Sequence, residues 1–228
     1  RVTVDTTTAD NVGGLVGRTQ GSSIRNSSFT GYIYSNSVFL KSGGLTGSYF
    51  DSSSLYNGFN AFNNTAYWLQ DATANNNMVL SNTPDSTMVD SAAIKNRLDA
   101  GIDVNLATTS SGSITSSGRV DLGNATDHSA VLNIEAIDGG IALESEQALR
   151  LGTVTVQWGE IDIATTTGDL ILTGDITPMA TTNPALVLNA GKSEDAGTST
   201  GGDIIHTSGQ VNPGSDFKAL LYTGSLDG

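Results

Sequence analysis

A short glycine-rich segment occurs twice near the start of the chain, 30 positions apart. Residues 12–17 read VGGLVG, and residues 42–47 read SGGLTG. A repeat of this length predicts stacked structural units that bury their apolar residues against one another. A long, regular surface is therefore favoured over a single catalytic cleft. Similar residues follow both copies: Ile24, Ser27, Phe29 and Gly31 after the first, and Phe50, Ser53, Leu55 and Gly58 after the second.

A second pattern of short apolar–polar–apolar units begins at residue 102. Such alternation predicts half-buried strands, and the clusters of Gly, Asn, Asp, Ser and Thr between the units predict turns. The gaps are too short for helical crossovers. The units are residues 102–106, 120–122, 131–134, 141–143, 149–151, 154–156, 161–163, 170–172, 186–188 and 204–205, followed by Val211.

This spacing fits either an antiparallel sandwich or barrel, or a parallel β-solenoid with about three short strands in each coil. The solenoid is favoured because short phrases recur, such as Gly-Asp-Leu at 168–170 and Gly-Asp-Ile at 202–204. Asn-Gly and Asp-Gly hairpin pairs are also sparse. We therefore predict an all-β chain that forms a parallel β-solenoid. The side chains predicted to stack inside it are Val131, Ile134, Ile141, Leu143, Leu149 and Leu151.

One segment, residues 86–100, has the pattern of a short helix of one or two turns. Met88, Ala92 and Lys95 would share one face of it, with Val89, Ile94 and Leu98 beside them. Gly101 would close the helix in the left-handed conformation that glycine adopts readily. We predict that this helix is a connector or a side cap of the solenoid.

The composition excludes several classes of protein. The net charge is −13, with only ten Lys and Arg, which disfavours nucleic acid as a partner. Cysteine is absent, so disulfides, thiolate metal sites and cysteine nucleophiles are excluded. No apolar run approaches the roughly 18 residues of a membrane-spanning helix, so we expect no membrane insertion in this segment.

Both halves of the chain resemble one family of large bacterial surface proteins. Residues 12–17, with Ile24, Ser27 and Gly31, are similar to the GLUG motif, and so is the second copy with its tail. Residues 94–109 resemble a phrase of filamentous-haemagglutinin-like exoproteins of two-partner secretion systems. Residues 186–191, 201–204 and 221–226 are similar to the same family.

The resemblance implies a right-handed parallel β-helix. This β-helix would form the shaft of a large adhesin that is secreted or attached to the bacterial cell surface at the outer membrane. We expect three parts: GLUG-type coils over residues 1–60, a connector with the short helix over 61–100, and β-helix coils over 101–228. We interpret these as one continuous solenoid within a longer polypeptide. The expected partners are surface glycans, receptors on host or neighbouring cells, or other copies of the chain.

Parallel β-helices also form polysaccharide lyases and hydrolases, whose sites combine carboxylates with Arg, Lys or His. A groove that joins Glu135, Glu144 and Glu160, or an acidic cluster with a cation, would favour this alternative. Other features with possible chemistry are few, and we interpret most of them as solvated surface. They are the pairs Glu135/Asp138, Glu144/Glu146 and Glu160/Asp162, the histidines His128 and His206, a weak calcium turn at Ser193, Glu194 and Asp195, and the aromatics Tyr32, Tyr34, Tyr67, Trp68 and Trp158.

We therefore predict a non-enzymatic structural shaft that serves attachment, cell–cell aggregation or biofilm formation. No residue is assigned to catalysis, to a cofactor or to a specific metal. The alternatives are a polysaccharide-active β-helix enzyme and a structural subunit of an extracellular filament. Open, stackable ends would favour the adhesin or the filament.

Overall fold

The structure is a computed structural model of the 228-residue chain. It describes residues 2–4, 11–13, 19–20, 23–25, 28–31, 33–35, 41–43, 49–50, 54–56, 58–62, 65–70, 77–84, 88–108, 112–123, 129–179, 183–195, 197 and 201–224. For the strands before residue 77 it describes the backbone and its pairing. From residue 77 onward it also describes side chains.

The regular structure of the described residues consists of β-strands and one α-helix. The strands before the helix are β1 Val2–Val4, β2 Asn11–Gly13, β3 Thr19–Gln20, β4 Ser23–Arg25, β5 Ser28–Gly31, β6 Ile33–Ser35, β7 Lys41–Gly43, β8 Tyr49–Phe50, β9 Ser54–Tyr56, β10 Gly58–Phe62, β11 Thr65–Gln70, β12 Met78–Ser81 and β13 Val89–Asp90. The helix α1 spans Ser91–Asp99. The strands after it are β14 Asp103–Thr108, β15 Ile114–Ser116, β16 Leu132–Ala136, β17 Ile141–Ser145, β18 Leu149–Val156, β19 Ile161–Thr165, β20 Leu170–Leu172, β21 Ile176–Pro178, β22 Leu186–Ala190, β23 Ile204–His206 and β24 Ala219–Thr223.

The described parts of the two glycine-rich copies, residues 12–13 and 42–43, are register partners on adjacent strands. Strand β2 pairs in parallel with β7, and Gly13 is the register partner of Gly43. Four further parallel pairs, β1 with β6, β3 with β8, β4 with β9 and β5 with β10, connect the same two turns of chain. The sequence repeat is therefore one coil of a parallel solenoid, as predicted.

The tails of the two copies align differently from the order in which their similar residues occur. Gln20 pairs with Phe50, whereas Ile24 pairs with Leu55. The second coil therefore contains one more residue between these strands than the first coil does. For this reason Phe50 is not the structural counterpart of Ile24, although both are the first apolar residue after their glycines.

One pair of strands departs from the parallel pattern. Strand β10 pairs antiparallel with β11, with Phe59 opposite Trp68, and β11 then pairs in parallel with β14. The chain between β10 and β11 is Asn63-Asn64, and asparagine is a common turn residue. We did not predict this hairpin, because we looked for Asn-Gly and Asp-Gly pairs alone.

Two large sheets contain most of the later strands. The first sheet runs in the order β5, β10, β11, β14, β16, β18, β20 and β23, and β21 also pairs with β18. The second sheet runs in the order β13, β12, β15, β17, β19, β22 and β24. From β14 onward the chain passes from one sheet to the other and back, so that each coil is added beside the previous one.

A corner divides the first-sheet part of the coil that contains β18 into two sides. Within β18, Leu149–Leu151 pair with β20, whereas Val154–Val156 pair with β21. The alternation of buried and outward residues breaks between these parts, since both Leu151 and Val154 are fully buried. Together with the second sheet, these two sides give the coil three short sides, as predicted.

The core consists of ladders of aliphatic side chains, in which register partners from successive coils stack. All members of the main ladders are at most 3% exposed. Val131 is an exception to the prediction, because it is only partly buried while its neighbour Leu132 is fully buried. Residues 132, 134 and 136 point inward, so strand alternation turns Val131 outward. Three ladders are Ile114–Ile141–Ile161–Leu186, Leu143–Ile163–Leu188 and Val104–Leu132–Leu151–Leu172.

The helix is shorter than the predicted segment and buries a different face. It begins after Asp90, whose carboxylate accepts a hydrogen bond from the amide of Ala92. It buries Ser91, Ile94 and Leu98, whereas Ala92 is exposed and Lys95 only partly buried. The expected face of Met88, Ala92 and Lys95 is therefore wrong, because the apolar residues at i and i+4 are Ile94 and Leu98.

The end of the helix is as predicted. Gly101 has a φ of +75°, and its amide donates to the carbonyl of Leu98. The amide of Ile102 donates to the carbonyl of Arg97, which completes a Schellman motif. Ile94 and Leu98 belong to the same core as the strands, so the helix packs onto the solenoid.

The described residues thus form the predicted all-β parallel β-helix with a short helical insertion. Their single helix is too short and too polar to cross a membrane.

Candidate functional site

A shallow groove with charged walls lies on the outer surface of the second sheet. Its volume is about 180 Å³. Small residues form its floor, and charged residues from three coils line it. We call it the second-sheet groove; it is lined by Ser116, Gly118, Ala142, Leu143, Glu144, Asp162, Ala164 and Lys192.

Glu144 is the centre of a salt-bridge network in this groove. Its Oε2 lies 2.9 Å from Nζ of Lys192, and its Oε1 lies 3.2 Å from Nε of Arg119. Lys192 follows β22, which is two strands away from β17. The register partner of Glu144 on the strand between them is Ala164, whose short side chain leaves room for the lysine to reach across. The network therefore ties together coils that are not adjacent.

The two carboxyl groups of the groove differ in their acidity. The hydrogen bond from Lys192 is the main cause that lowers the pKa of Glu144. Loss of hydration is the main cause that raises the pKa of Asp162, with a smaller contribution from the charge of Glu144 and an opposing one from Lys192. Glu144 is thus held ionised, whereas Asp162 takes up a proton more readily than an ordinary aspartate.

The carboxylates do not meet in the way that chain proximity suggested. Glu135 lines a different groove, on the first sheet, so Glu135, Glu144 and Glu160 do not share one concave face. The structure instead brings Glu144 together with Asp162 of the next coil. The signal for this pair was the spacing of the apolar units, since Ile141 and Ile161 are register partners that begin similar segments.

A larger groove lies on the outer surface of the first sheet. Its volume is about 440 Å³. The carboxamide oxygen of Asn133 accepts a hydrogen bond of 2.8 Å from the amide of Thr153, which holds the asparagine against the next coil. Glu135 and Thr155 are register partners and line the groove side by side. We call it the first-sheet groove; it is lined by Asn105, Leu106, Ala107, Asn133, Ile134, Glu135, Thr153 and Thr155.

Two large apolar side chains are exposed just beyond the ends of β18 and β21. Trp158 is 60% exposed and Met179 is 56% exposed. They belong to consecutive coils, because the amide of Gly159 donates to the carbonyl of Met179. Trp158 is held in place through its backbone, since its carbonyl accepts from the amide of Gly139. The side chain of Trp158 is thus largely in solvent.

The other predicted candidates lie apart from these grooves. His206 is exposed on β23, and its Nε2 lies 3.1 Å from the carbonyl oxygen of Gly209. His128 and Tyr32 lie outside the described residues, and Tyr34, Tyr67 and Trp68 lie in strands described by their backbone alone. Glu146 is partly buried at a corner, and Glu194 and Asp195 follow β22. Where side chains are described, no three His, Asp or Glu residues are grouped as a metal site would require.

Comparison with known proteins gives one match. Residues 8–34 match the family model described as the GLUG motif, a stretch that includes the first glycine-rich copy and its tail. No curated protein and no solved structure matches the chain. The chain therefore contains a GLUG motif within its first coil, as the residues of that coil predicted.

Proposed function

We propose that the chain is part of the non-enzymatic shaft of a large bacterial adhesin, which serves attachment, cell–cell aggregation or biofilm formation. The GLUG motif occurs in extracellular, adhesin-like proteins, and this agrees with a structural role. The proposal places the protein on the bacterial cell surface or outside the cell, with two-partner secretion as its route of export.

The observation that carries the proposal is the continuity of the core. Register partners stack from Ile114 through Ile141 and Ile161 to Leu186, and none of them is more than 2% exposed. The next partner is Ala219, and the spacing of these positions along the chain differs greatly from coil to coil, yet the ladder is unbroken. The differences in coil length therefore lie at the corners, outside the ladder positions. Each coil can thus still pack against its neighbours, as a stack of coils requires.

Surface charge supports the same proposal. The net charge of −13 keeps an extended protein soluble and disfavours nucleic acid as a partner. The partners that we propose are surface glycans, receptors on other cells, or other copies of the chain.

The test is display of the chain on a non-adherent bacterium through an inert outer-membrane anchor. We expect faster sedimentation of the cells, or stronger attachment to a surface, than with the anchor alone. Equal behaviour of the two strains would contradict an adhesive role. Clumping only among displaying cells would favour contact between copies.

A polysaccharide-active enzyme is the second candidate, and the second-sheet groove is the observation that favours it. Two carboxylates and two cations meet there, and the raised pKa of Asp162 suits a proton-transfer group. The groove is small, however: about 180 Å³ against the roughly 300–1,000 Å³ of typical ligand sites.

This second candidate is tested by incubating the protein with uronate-containing and neutral polysaccharides and measuring new chain ends. Cleavage that disappears in both Asp162→Asn and Lys192→Met would replace the shaft proposal. If none of the polysaccharides is cleaved, the second candidate function is excluded.

A further inference from the structure

The exposed tryptophan follows the first-sheet groove closely along the chain. Along β18, Thr153 and Thr155 line the groove, and Gln157 and Trp158 follow at the end of the same strand. On the neighbouring coil, Asn133 and Glu135 line the groove beside them. Trp158 is thus three residues beyond Thr155, the last groove-lining residue of its strand.

The groove has the size and the lining of a ligand site. Its volume of about 440 Å³ lies within the range of roughly 300–1,000 Å³ typical of small-molecule sites. Its lining offers the carboxylate of Glu135, the hydroxyl groups of Thr153 and Thr155, and the amides of Asn105 and Asn133. These groups can accept or donate hydrogen bonds to several hydroxyl groups at once.

Trp158 supplies the second kind of contact. A tryptophan that is 60% exposed leaves a large apolar ring in water, and the C–H face of a sugar ring can cover it. Its position is fixed by the hydrogen bond between its carbonyl and Gly139, so little backbone ordering is needed on binding. Met179 on the next coil is a second exposed apolar side chain, and its carbonyl accepts from the amide of Gly159.

The charges of this surface restrict the ligand. Glu135 lines the groove, and no Lys or Arg is among the groove-lining residues of the described chain. Glu160 is exposed two residues after Trp158, and Asp138 is exposed next to Gly139, whose amide donates to the carbonyl of Trp158. Sulfated and uronate sugars would be repelled by these carboxylates. Neutral sugars carry hydroxyl groups for the polar lining and C–H faces for the ring, without that repulsion.

We propose that this surface binds a neutral polysaccharide, with a sugar ring stacked on Trp158 and adjoining hydroxyl groups hydrogen-bonded to Glu135, Asn133 and Thr155. This assignment deepens the proposed function, on which it rests for the biological source of the glycan. Binding itself is a property of the folded chain and can be measured alone.

The experiment is calorimetric titration of the whole chain with cellohexaose, laminarihexaose and mannohexaose, and with a heparin hexasaccharide as the anionic comparison. We expect at least one neutral hexasaccharide to bind at millimolar concentration or below, with an affinity that changes little with salt. The heparin fragment should not bind. Failure of all three neutral sugars, or binding of heparin alone, would overturn the proposal.

Variants assign the binding to this surface. Trp158→Ala should weaken binding about tenfold, because it removes the stacking platform. Tyr222→Ala is the matched control, since Tyr222 is a 50% exposed aromatic residue on the second sheet, and it should bind as the unaltered chain does. Equal affinity of the unaltered chain and of folded Trp158→Ala would place the site elsewhere and overturn the assignment.

Adhesion of cells that display the chain, measured beside sugar binding by the free chain, separates this proposal from the proposed function. Sugar binding without any adhesion by the displayed chain would contradict the adhesin and leave the sugar site standing. Adhesion by the displayed chain without sugar binding would contradict the sugar site and leave the adhesin standing.

Discussion

Leu188 and Leu221 are register partners on neighbouring strands of the second sheet, yet Leu188 is fully buried and Leu221 is 53% exposed. Both lie at the ladder position that Leu143 and Ile163 occupy in earlier coils. Leu188 has a coil on both sides, whereas β24 is the last strand of its sheet among the described residues. The same side chain at the same place in a coil should thus contribute very differently to stability.

Leu188→Ala should lower the free energy of unfolding by about 2–5 kcal/mol, through lost burial and the cavity left behind. Leu221→Ala should lower it by less than about 1 kcal/mol, because much of that side chain is already in water. Urea unfolding followed by circular dichroism measures both. Equal losses would show that β24 is covered in solution or that the ladder register is different.

Gly174 lies where two coils touch at a corner. A methyl group on Gly174 would lie 2.5 Å from the carbonyl carbon of Gly152 in the preceding coil. Gly174→Ala should therefore cost about 1–3 kcal/mol of stability through overpacking, and Gly174→Asn should cost more.

Gly118 is the control for this corner, because it has a φ of +78° and no atom close to the added methyl group. Gly118→Ala should be destabilising through backbone strain, whereas Gly118→Asn should recover part of the loss, since asparagine tolerates this conformation. The same ranking of Ala and Asn at both glycines, measured by thermal unfolding, would contradict the steric account of the corner.

Glu144 and Asp162 should affect stability with opposite signs. The lowered pKa of Glu144 means that its ionised form stabilises the fold, and this contribution is present above about pH 4.5 and lost as the pH falls through the folded-state value. Glu144→Gln should thus cost less than about 1 kcal/mol at pH 7, because the pair is at the surface, and the loss should shrink in high salt.

The raised pKa of Asp162 means that its charge opposes folding at neutral pH. Asp162→Asn should therefore be more stable than the unaltered chain at pH 7, and the gain should vanish below pH 3.8, where the aspartate is protonated in both the folded and the unfolded chain. Unfolding midpoints of both variants at several pH values test this. A loss of stability in Asp162→Asn at pH 7 would contradict the hydration argument.

Local alternation predicted most of the strands, because the side-chain period of two residues is visible in any short segment. The ladder positions of Ile134, Ile141, Leu143, Leu149 and Leu151 followed from it and are confirmed. Val131 was assigned inward because the unit of residues 131–134 contains three apolar residues, and alternation alone does not say which two face the core.

Contacts between coils were much harder to predict. The ion pair of Glu144 with Lys192 joins residues 48 positions apart, across two coils of unequal length. Because the coil length is set by insertions at corners, no fixed period identifies such partners. The hairpin between β10 and β11 and the division of the first sheet at Gly152 also depend on corner geometry. The handedness of the winding, the three-part division of the chain and the adhesive role stay predictions.

Parallel pairing of β2 with β7 makes the glycine-rich copies parts of successive coils of one stack. Cysteine crosslinking between these two strands tests this pairing. The chain contains no cysteine, so no native thiol competes with an introduced pair. Val12 and Ser42 are register partners on adjacent parallel strands, about 4.8 Å apart, within the range that a disulfide spans.

Mild oxidation of Val12→Cys/Ser42→Cys at low protein concentration should give an intramolecular disulfide in nearly every molecule. The matched control is Val12→Cys/Phe50→Cys, because Phe50 is the partner of Gln20 on a different pair of strands. We expect efficient crosslinking of the first pair and little of the second, quantified by mass spectrometry. Equal crosslinking of both pairs, or crosslinking of the control alone, would contradict the stacked solenoid.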